Sequence, residues 1–187
     1  MRRSDSRWDS IEMEFFDVVR ERRSVRQFLP RRITNAQVRR ILEAANRAPS
    51  AGNLQAYEVH VVRDAKMRRR LDAATGNQGA VAQAPVVLVF CAAPQRSAGR
   101  YGAKGEQLFC IQDATIACAY AQLAATALGL ASVWIGAVHE LEVVQETLRL
   151  NDSLWPIAFL PIGYPAETPP RQSRRRLDQL VRGLSRQ

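Results

Sequence analysis

Apolar residues recur at helical spacing through Phe15, Val18 and Val19 with charge on the other side, which predicts an amphipathic helix over 12–23. Pro30 stops any continuation. A second helix is expected from Thr34, a good N-cap residue, through Val38, Ile41, Leu42 and Ala45, ending before Pro49. The period then switches to two: Val59, Val61 and Val62 mark a strand over 57–62, and 66–74 returns to helix. "PVVLVFCAA", beginning at Pro85, is a continuous apolar run short enough for a strand buried on both faces. The polar "PQRSAGRYGAKGE" predicts a mobile loop over 94–106, followed by a long helix over 107–128 that Gly129 ends. "LASVWIGA" reads as a strand ending at Gly136, 140–148 as a helix, and "PIAFLPIGYP" as a last core strand. No internal repeat is visible. This order predicts an α+β or α/β sandwich, a central sheet covered by helices.

The 187 residues suit one domain large enough to bury a core, and an apolar fraction of 47% with 24% charged excludes disorder as the main state. One domain is expected over 12–187, after a flexible lead-in over 1–11 that lacks the apolar segment of a secretory signal. "ATIACAYAQLAATALGL" is apolar mainly through alanine and is interrupted by Thr115, Gln122 and Thr126, so it fits a buried helix better than a membrane span. Cys91, Cys110 and Cys118 are odd in number and lie outside any CxxC spacing, which points to buried thiols in a reducing cytoplasm rather than to disulfides or zinc.

Charge changes the picture more. Against 18 acidic residues stand 27 basic ones, a net +9, concentrated at 20–32, 66–70 and 171–176. Such an excess attracts polyanions, whether nucleic acid, membrane or phosphorylated small molecules. No zinc-finger spacing or basic leucine zipper is present, and the aromatic residues do not interleave with the basic clusters, so nucleic acid is not expected as a partner. Neither GxGxxG nor GxxxxGK[ST] occurs.

Four stretches carry candidate chemistry. In "RERRSVRQFLP", arginines at a helix end offset the macrodipole, which is their ordinary use. Arg22, Arg23 and Arg26 around the Ser24 hydroxyl also suit an anionic cofactor, with Arg23 and Arg26 able to turn toward one phosphate. "APSAGNLQA" is a turn by composition, but its carboxamides Asn53 and Gln55 could match the alternating donors and acceptors of a flavin's pyrimidine edge. Asp113 is the only charged side chain between Glu106 and Glu140, so it needs an arginine or backbone amides as partner, a structural role rather than that of a catalytic acid. "VWIGAVHE" joins a strand to a helix and could present backbone N–H groups to an anion or ring. His60 and His139, the only histidines, lack ligand or nucleophile partners, so neither a metal site nor a serine or cysteine nucleophile is expected.

Taken in order, "RRSVRQF", "APSAGNLQ", "RYGAKGEQLFCIQDATIACAYAQLAATALGLASVWIGA" and "PIAFLPIGYPAETPPRQSRRRLDQLV" resemble the FMN-dependent nitroreductase family. The resemblance implies an α+β sandwich with a mixed, mainly antiparallel sheet, in an intertwined homodimer holding FMN at its interface. It places Arg22, Arg23, Ser24 and Arg26 at the phosphate, ribityl chain and pyrimidine edge, and Arg174 at the phosphate. Pro49, Ser50, Ala51, Asn53 and Gln55 would come from the other subunit's loop or the ring edge, and Trp134, Ile135, Gly136 and Ala137 would run along the isoalloxazine. The family often has Pro-Trp where this chain has Ala56 and Tyr57, and a second glycine where it has Ala137.

The expected activity is hydride transfer from NADH or NADPH through flavin N5 to a nitroaromatic, quinone or similar small acceptor, with no catalytic side chain required. A flavin-fragmenting or reductive dehalogenating enzyme is the alternative within the same resemblance. A basic anion- or nucleic-acid-binding protein without turnover is the alternative outside it. The segment 95–106, with Tyr101 and Phe109, is expected to select the acceptor.

Overall fold

The computed structural model describes residues 13–76 and 78–183. The expected lead-in over 1–11 lies outside them. Helix α1 (Phe15–Glu21) is shorter than its pattern suggested, and of its apolar residues only Val18 is buried; Phe15, Phe16 and Val19 face outward. Helix α2 (Asn35–Asn46) starts where expected. The Thr34 hydroxyl accepts from the Gln37 N–H at 3.1 Å, and the Gln37 side chain accepts from the Thr34 N–H at 3.0 Å, a reciprocal capping box. Strand β1 (Tyr57–Val62), α3 (Ala65–Ala74), a short α4 (Ala80–Gln83) and β2 (Val86–Ala92) follow.

The segment expected as a loop is helix α5 (Pro94–Lys104), with proline in its first turn, where a missing N–H costs nothing. Its glycines are structural instead. Gly102 kinks the helix at φ 57°, and Gly105 packs so tightly that a Cβ would lie 2.5 Å from the Ser97 carbonyl oxygen. A π-helical turn, Gly105–Phe109, joins it to α6 (Cys110–Ala127). Gly129, at φ 69°, ends α6 as expected, with the Leu130 N–H reaching back to the Ala125 carbonyl at 2.9 Å. Strand β3 (Ala131–Ser132), α7 (Leu141–Leu148), β4 (Trp155–Gly163) and a single-turn α8 (Leu177–Leu180) complete the chain.

The strands form one sheet in the order β1-β2-β4-β3, each neighbour antiparallel. A parallel bridge between Ser24 and Ser132 adds the mixed character at the β3 edge. Strand β3 is shorter than the expected strand, which ended at Gly136, and the reason lies in its pairing with β4. The register that pairs Ala131 with Gly163 and Ile135 with Phe159 sets Val133 opposite Pro161, which has no N–H to donate. The ladder resumes one pair later, through the Ile135 N–H to Phe159 at 3.0 Å and the Phe159 N–H to Ile135 at 2.8 Å.

Every residue of β2 is buried, as its unbroken apolar run demands. Val86, Leu88 and Phe90 pack with Ile41 of α2 and with Ala117, Cys118 and Ala121 of α6. Val87, Val89 and Cys91 pack on the other face with Leu71, Val81 and Val144 of α3, α4 and α7. Each large side chain so buried contributes about 1.5–3 kcal/mol. The alanines of α6 let it lie close to sheet and α2. By length and composition the continuous stretch 94–127 could cross a membrane, but much of α6 lies in this core.

Candidate functional site

Beyond α1 the chain runs extended. The Val25 N–H donates to Ser132 at 3.1 Å, and the Leu29 N–H to Tyr164 at 2.9 Å, which ties 24–29 to β3 and to the segment after β4. Val25 and Phe28 turn into the core, and Phe28 fills the space beside Gly163, where a Cβ would come within 2.7 Å of its ring. Arg26, between them, and the residues just before Val25 face a cleft of about 870 Å³ lined by Val19, Arg20, Arg22, Arg23, Ser24, Arg26, Arg171 and Arg174, with Pro169, Pro170 and Gln172 on its far wall. Only Arg20 lies in the last turn of α1, so an offset macrodipole does not account for the cluster.

The far wall is fixed by two clamps that the sequence did not reveal. Arg23 Nη1 donates to the Pro169 carbonyl at 2.8 Å, and Glu167 Oε1 accepts from the Arg26 and Gln27 N–H groups at 2.7 and 3.1 Å. Glu21 pairs with Arg171 outside the cleft. No carboxylate lines the cleft itself among the described residues. Burial, and after it the neighbouring Arg174 charge, push the Arg22 guanidinium below the ordinary arginine value. Two guanidinium groups that repel each other in a partly buried setting are relieved by an anion, and their planar donors match phosphate oxygens.

The second group sits elsewhere. Pro49, Ser50 and Ala51 line a separate cleft of about 500 Å³ with Phe109, Gln112, Asp113, Thr115 and Ile116. Asp113, 2% exposed, accepts from the Ala51 N–H at 2.9 Å and the Ala56 N–H at 3.3 Å, so its partners are backbone amides, one of the two options the sequence left open. It bridges both ends of a loop whose 3-10 turn (Ala51–Asn53) runs through left-handed Gly52 and Asn53, with left-handed Gln55 following. Ser50 Oγ accepts from the Gln55 N–H at 3.0 Å, and Gln55 Nε2 donates to Asn53 Oδ1 at 2.8 Å. The two carboxamides are thus bonded to each other, and neither lines this cleft.

Helix α5 lies on this loop. Arg100 Nη1 reaches the Gly52 carbonyl at 3.4 Å, and a Cβ on Gly52 would meet the Tyr101 hydroxyl at 2.5 Å. Tyr101 and Phe109 pack edge to face with centroids 5.1 Å apart. Of the third group, Ile135 is buried and locked to Phe159, Trp134 is half-buried against Gly136, and Gly136 and Ala137 are exposed. None of these four lines the arginine cleft. Within one chain, then, Arg22, Arg23, Ser24, Arg26 and Arg174 converge, Pro49, Ser50 and Ala51 converge separately, and 134–137 stand apart.

Sequence reasoning also missed Asp72. It is buried and accepts from the N–H groups of Gly79, Val81 and Ala82 at 3.1, 3.1 and 3.3 Å, fixing the start of α4. It follows Arg68, Arg69 and Arg70 in a strongly basic stretch; the one signal was its apolar flank, Leu71 and Ala73. Among the described residues no three His, Cys, Asp or Glu side chains gather as a metal would need.

The profile of the Nitroreductase family matches residues 19–78 and 71–164. The chain belongs to the nitroreductase family. It is 32% identical over 166 residues to the FMN reductase [NAD(P)H] of Bacillus subtilis, covering 82% of this chain and 67% of that protein. It is 33% identical over 158 residues to the oxygen-insensitive NADPH nitroreductase of Salmonella typhimurium, covering 81% and 66%. The nitroreductase fold is equally plain in three dimensions. The NADPH:FMN oxidoreductase of Vibrio harveyi, solved with NAD+, superposes with a TM-score of 0.83 at 28% identity, covering 92% of this chain and 78% of that one.

Proposed function

We propose that this nitroreductase-family chain is an FMN-dependent NAD(P)H oxidoreductase that reduces a nitroaromatic, quinone or similar small acceptor in the cytoplasm, as a homodimer. The observation that carries the reading is the arginine cleft: Asp17 and Glu21 pair with Arg20, Arg23 and Arg171 from outside its lining, whereas Arg22, Arg26 and Arg174 line it with no ion-pair partner among the described residues, which fits the phosphate of FMN. FMN, when bound, supplies the centre that accepts hydride from NAD(P)H and passes the electrons on. Arg22, Arg23, Arg26 and Arg174 hold the phosphate end, with the Ser24 hydroxyl beside them. Pro49, Ser50, Ala51, Asn53 and Gln55 belong to the partner subunit's share of the site, and Trp134, Ile135, Gly136 and Ala137 line the ring. Tyr101 and Phe109 select the acceptor. The protein's part is binding, orientation and exclusion of water, and no side chain is required as acid or base.

The homodimer reading rests on two observations. The proposed cofactor residues of one chain fall in separate clefts, so a second copy is needed to bring them together. Phe15, Phe16 and Val19 of α1, Leu108 of the π-helical turn, Tyr120 of α6, and Leu177 and Leu180 of α8 leave apolar surface exposed that a partner would cover. The test is colour and mass together. The purified protein is expected to be yellow, to release FMN on denaturation, and to scatter light as about twice the chain mass. A colourless protein that FMN cannot reconstitute would overturn the enzyme reading, and a flavin-loaded monomer would overturn the dimer.

A further inference from the structure

The arginine cleft lies at the β3 edge of the sheet. At the opposite edge, β1 carries Glu58 and His60 into a third cleft, of about 490 Å³, which shares no lining residue with the other two. Its remaining walls are Gln95 and Arg96 at the start of α5 and Arg149, Leu150, Asn151, Ser153 and Leu154 in the connection from α7 to β4, with Ala93 between. The volume falls within the range of small-molecule sites.

The charges in this cleft do not cancel. Arg96 is committed: its Nη1 donates to the Gln55 and Tyr57 carbonyls at 2.7 and 2.9 Å, and its Nη2 pairs with Glu58 at 3.3 Å. Arg149 has no ion-pair partner among the described residues, which leaves one positive charge over. Its backbone is left-handed, φ 53° and ψ 46°, at the C-cap of α7, where glycine is the unstrained residue. Strain of this kind at a non-glycine residue is concentrated at functional positions. His60 Nε2 is buried with no hydrogen-bond partner, although a buried polar atom is ordinarily satisfied. Asn151 is oriented by its Oδ1, which accepts from the Ser153 N–H at 2.9 Å and leaves the amide donors for another group.

A surplus cation, an unsatisfied imidazole nitrogen and an oriented amide in one cleft have a common complement. We propose that this cleft binds a small oxyanion, a carboxylate or phosphate group, with His60 and Arg149 as its principal ligands and Asn151 as a neutral donor. Because Nε2 is closed to solvent in the free protein, the His60 ring turns as the anion enters, bearing its proton on Nε2 and donating that N–H to the anion. Glu58, already paired with Arg96, does not oppose the bound charge.

The chain's two histidines make the site directly readable, because imidazole NMR shows His60 against His139 alone, with His139→Gln assigning the pair. The protein as purified, with any flavin it holds, is titrated with inorganic phosphate and separately with acetate, against sodium chloride at matched ionic strength. Saturable movement of the His60 signals by either oxyanion, with His139 unmoved, is expected. Arg149→Gly, whose backbone suits the left-handed position, is expected to weaken that binding at least tenfold while leaving flavin absorbance unchanged. Equal responses to chloride, or an undiminished affinity in Arg149→Gly, would overturn the proposal. Flavin content reports on the arginine cleft separately, so failure there is not mistaken for failure here.

Discussion

Asp113 holds two ends of the 49–56 loop at once, and its removal should loosen that loop before anything else. Its carboxylate accepts from the Ala51 N–H at 2.9 Å and the Ala56 N–H at 3.3 Å, and Ala56 is fully buried. Asp113→Ala strands both donors; at about 1–3 kcal/mol for each unsatisfied group the loss is roughly 2–6 kcal/mol. Asp113→Asn keeps one acceptor oxygen and sets an NH₂ against the other donor, so about half of that loss is expected. A fraction of this size is large against the ~5–15 kcal/mol that stabilises a domain. Urea unfolding measures the global part, and amide hydrogen exchange at Ala51 and Ala56 the local part. Both variants should lower the midpoint, with protection at those two amides falling more than at neighbouring β1. Unchanged exchange at Ala51 and Ala56 in Asp113→Ala would refute the reasoning even if the midpoint fell, because the loss would then come from elsewhere.

Cys91 is buried between sheet and helices, and that burial pushes its thiol up to about 12 from an ordinary 9.0. Since the unfolded chain releases this proton first, the Cys91 contribution is complete below pH 9 and is lost as pH rises toward 12. Stability measured over that window should fall more steeply in the parent than in Cys91→Ala; parallel curves would contradict the assignment. Phe16 is 80% exposed on α1, so Phe16→Glu should leave the monomer fold intact by circular dichroism while shifting light scattering toward the single-chain mass. An unaltered dimer would remove α1 from the interface.

The fold was most legible where burial is complete. The unbroken apolar run of β2 and the Thr34 capping box needed no tertiary information, and both elements stand where their residues put them. Misreadings arose where packing or backbone geometry, rather than local composition, decides the element. Three glycines made 94–106 look like a loop, yet Gly105 answers to the Ser97 carbonyl and Gly102 to a kink. The interruption of 130–136 depends on Pro161 in another strand, which no local pattern around Val133 carries. At the candidate site, the arginine cluster was visible as charge density, but its far wall was not. Glu167 and Pro169 act through a backbone-to-side-chain clamp and a carbonyl, neither of which leaves a composition signal. Asp113 was legible because a lone carboxylate in an apolar helix must find partners, whereas Asp72, equally buried, was hidden by the arginines before it.

The central claim is that the arginines after α1 grip the phosphate of FMN, and its most direct test is the FMN dissociation constant of three variants by flavin fluorescence. Arg22 and Arg26 line the cleft, whereas Arg32 lies beyond Pro30 and does not. Losing one charge-assisted hydrogen bond to a phosphate costs about 1.5–3 kcal/mol, or roughly tenfold to over a hundredfold in affinity. Arg22→Ala and Arg26→Ala are predicted to weaken binding by that factor, and Arg32→Ala to match the parent. Equal dissociation constants for the parent and all three variants would contradict the account.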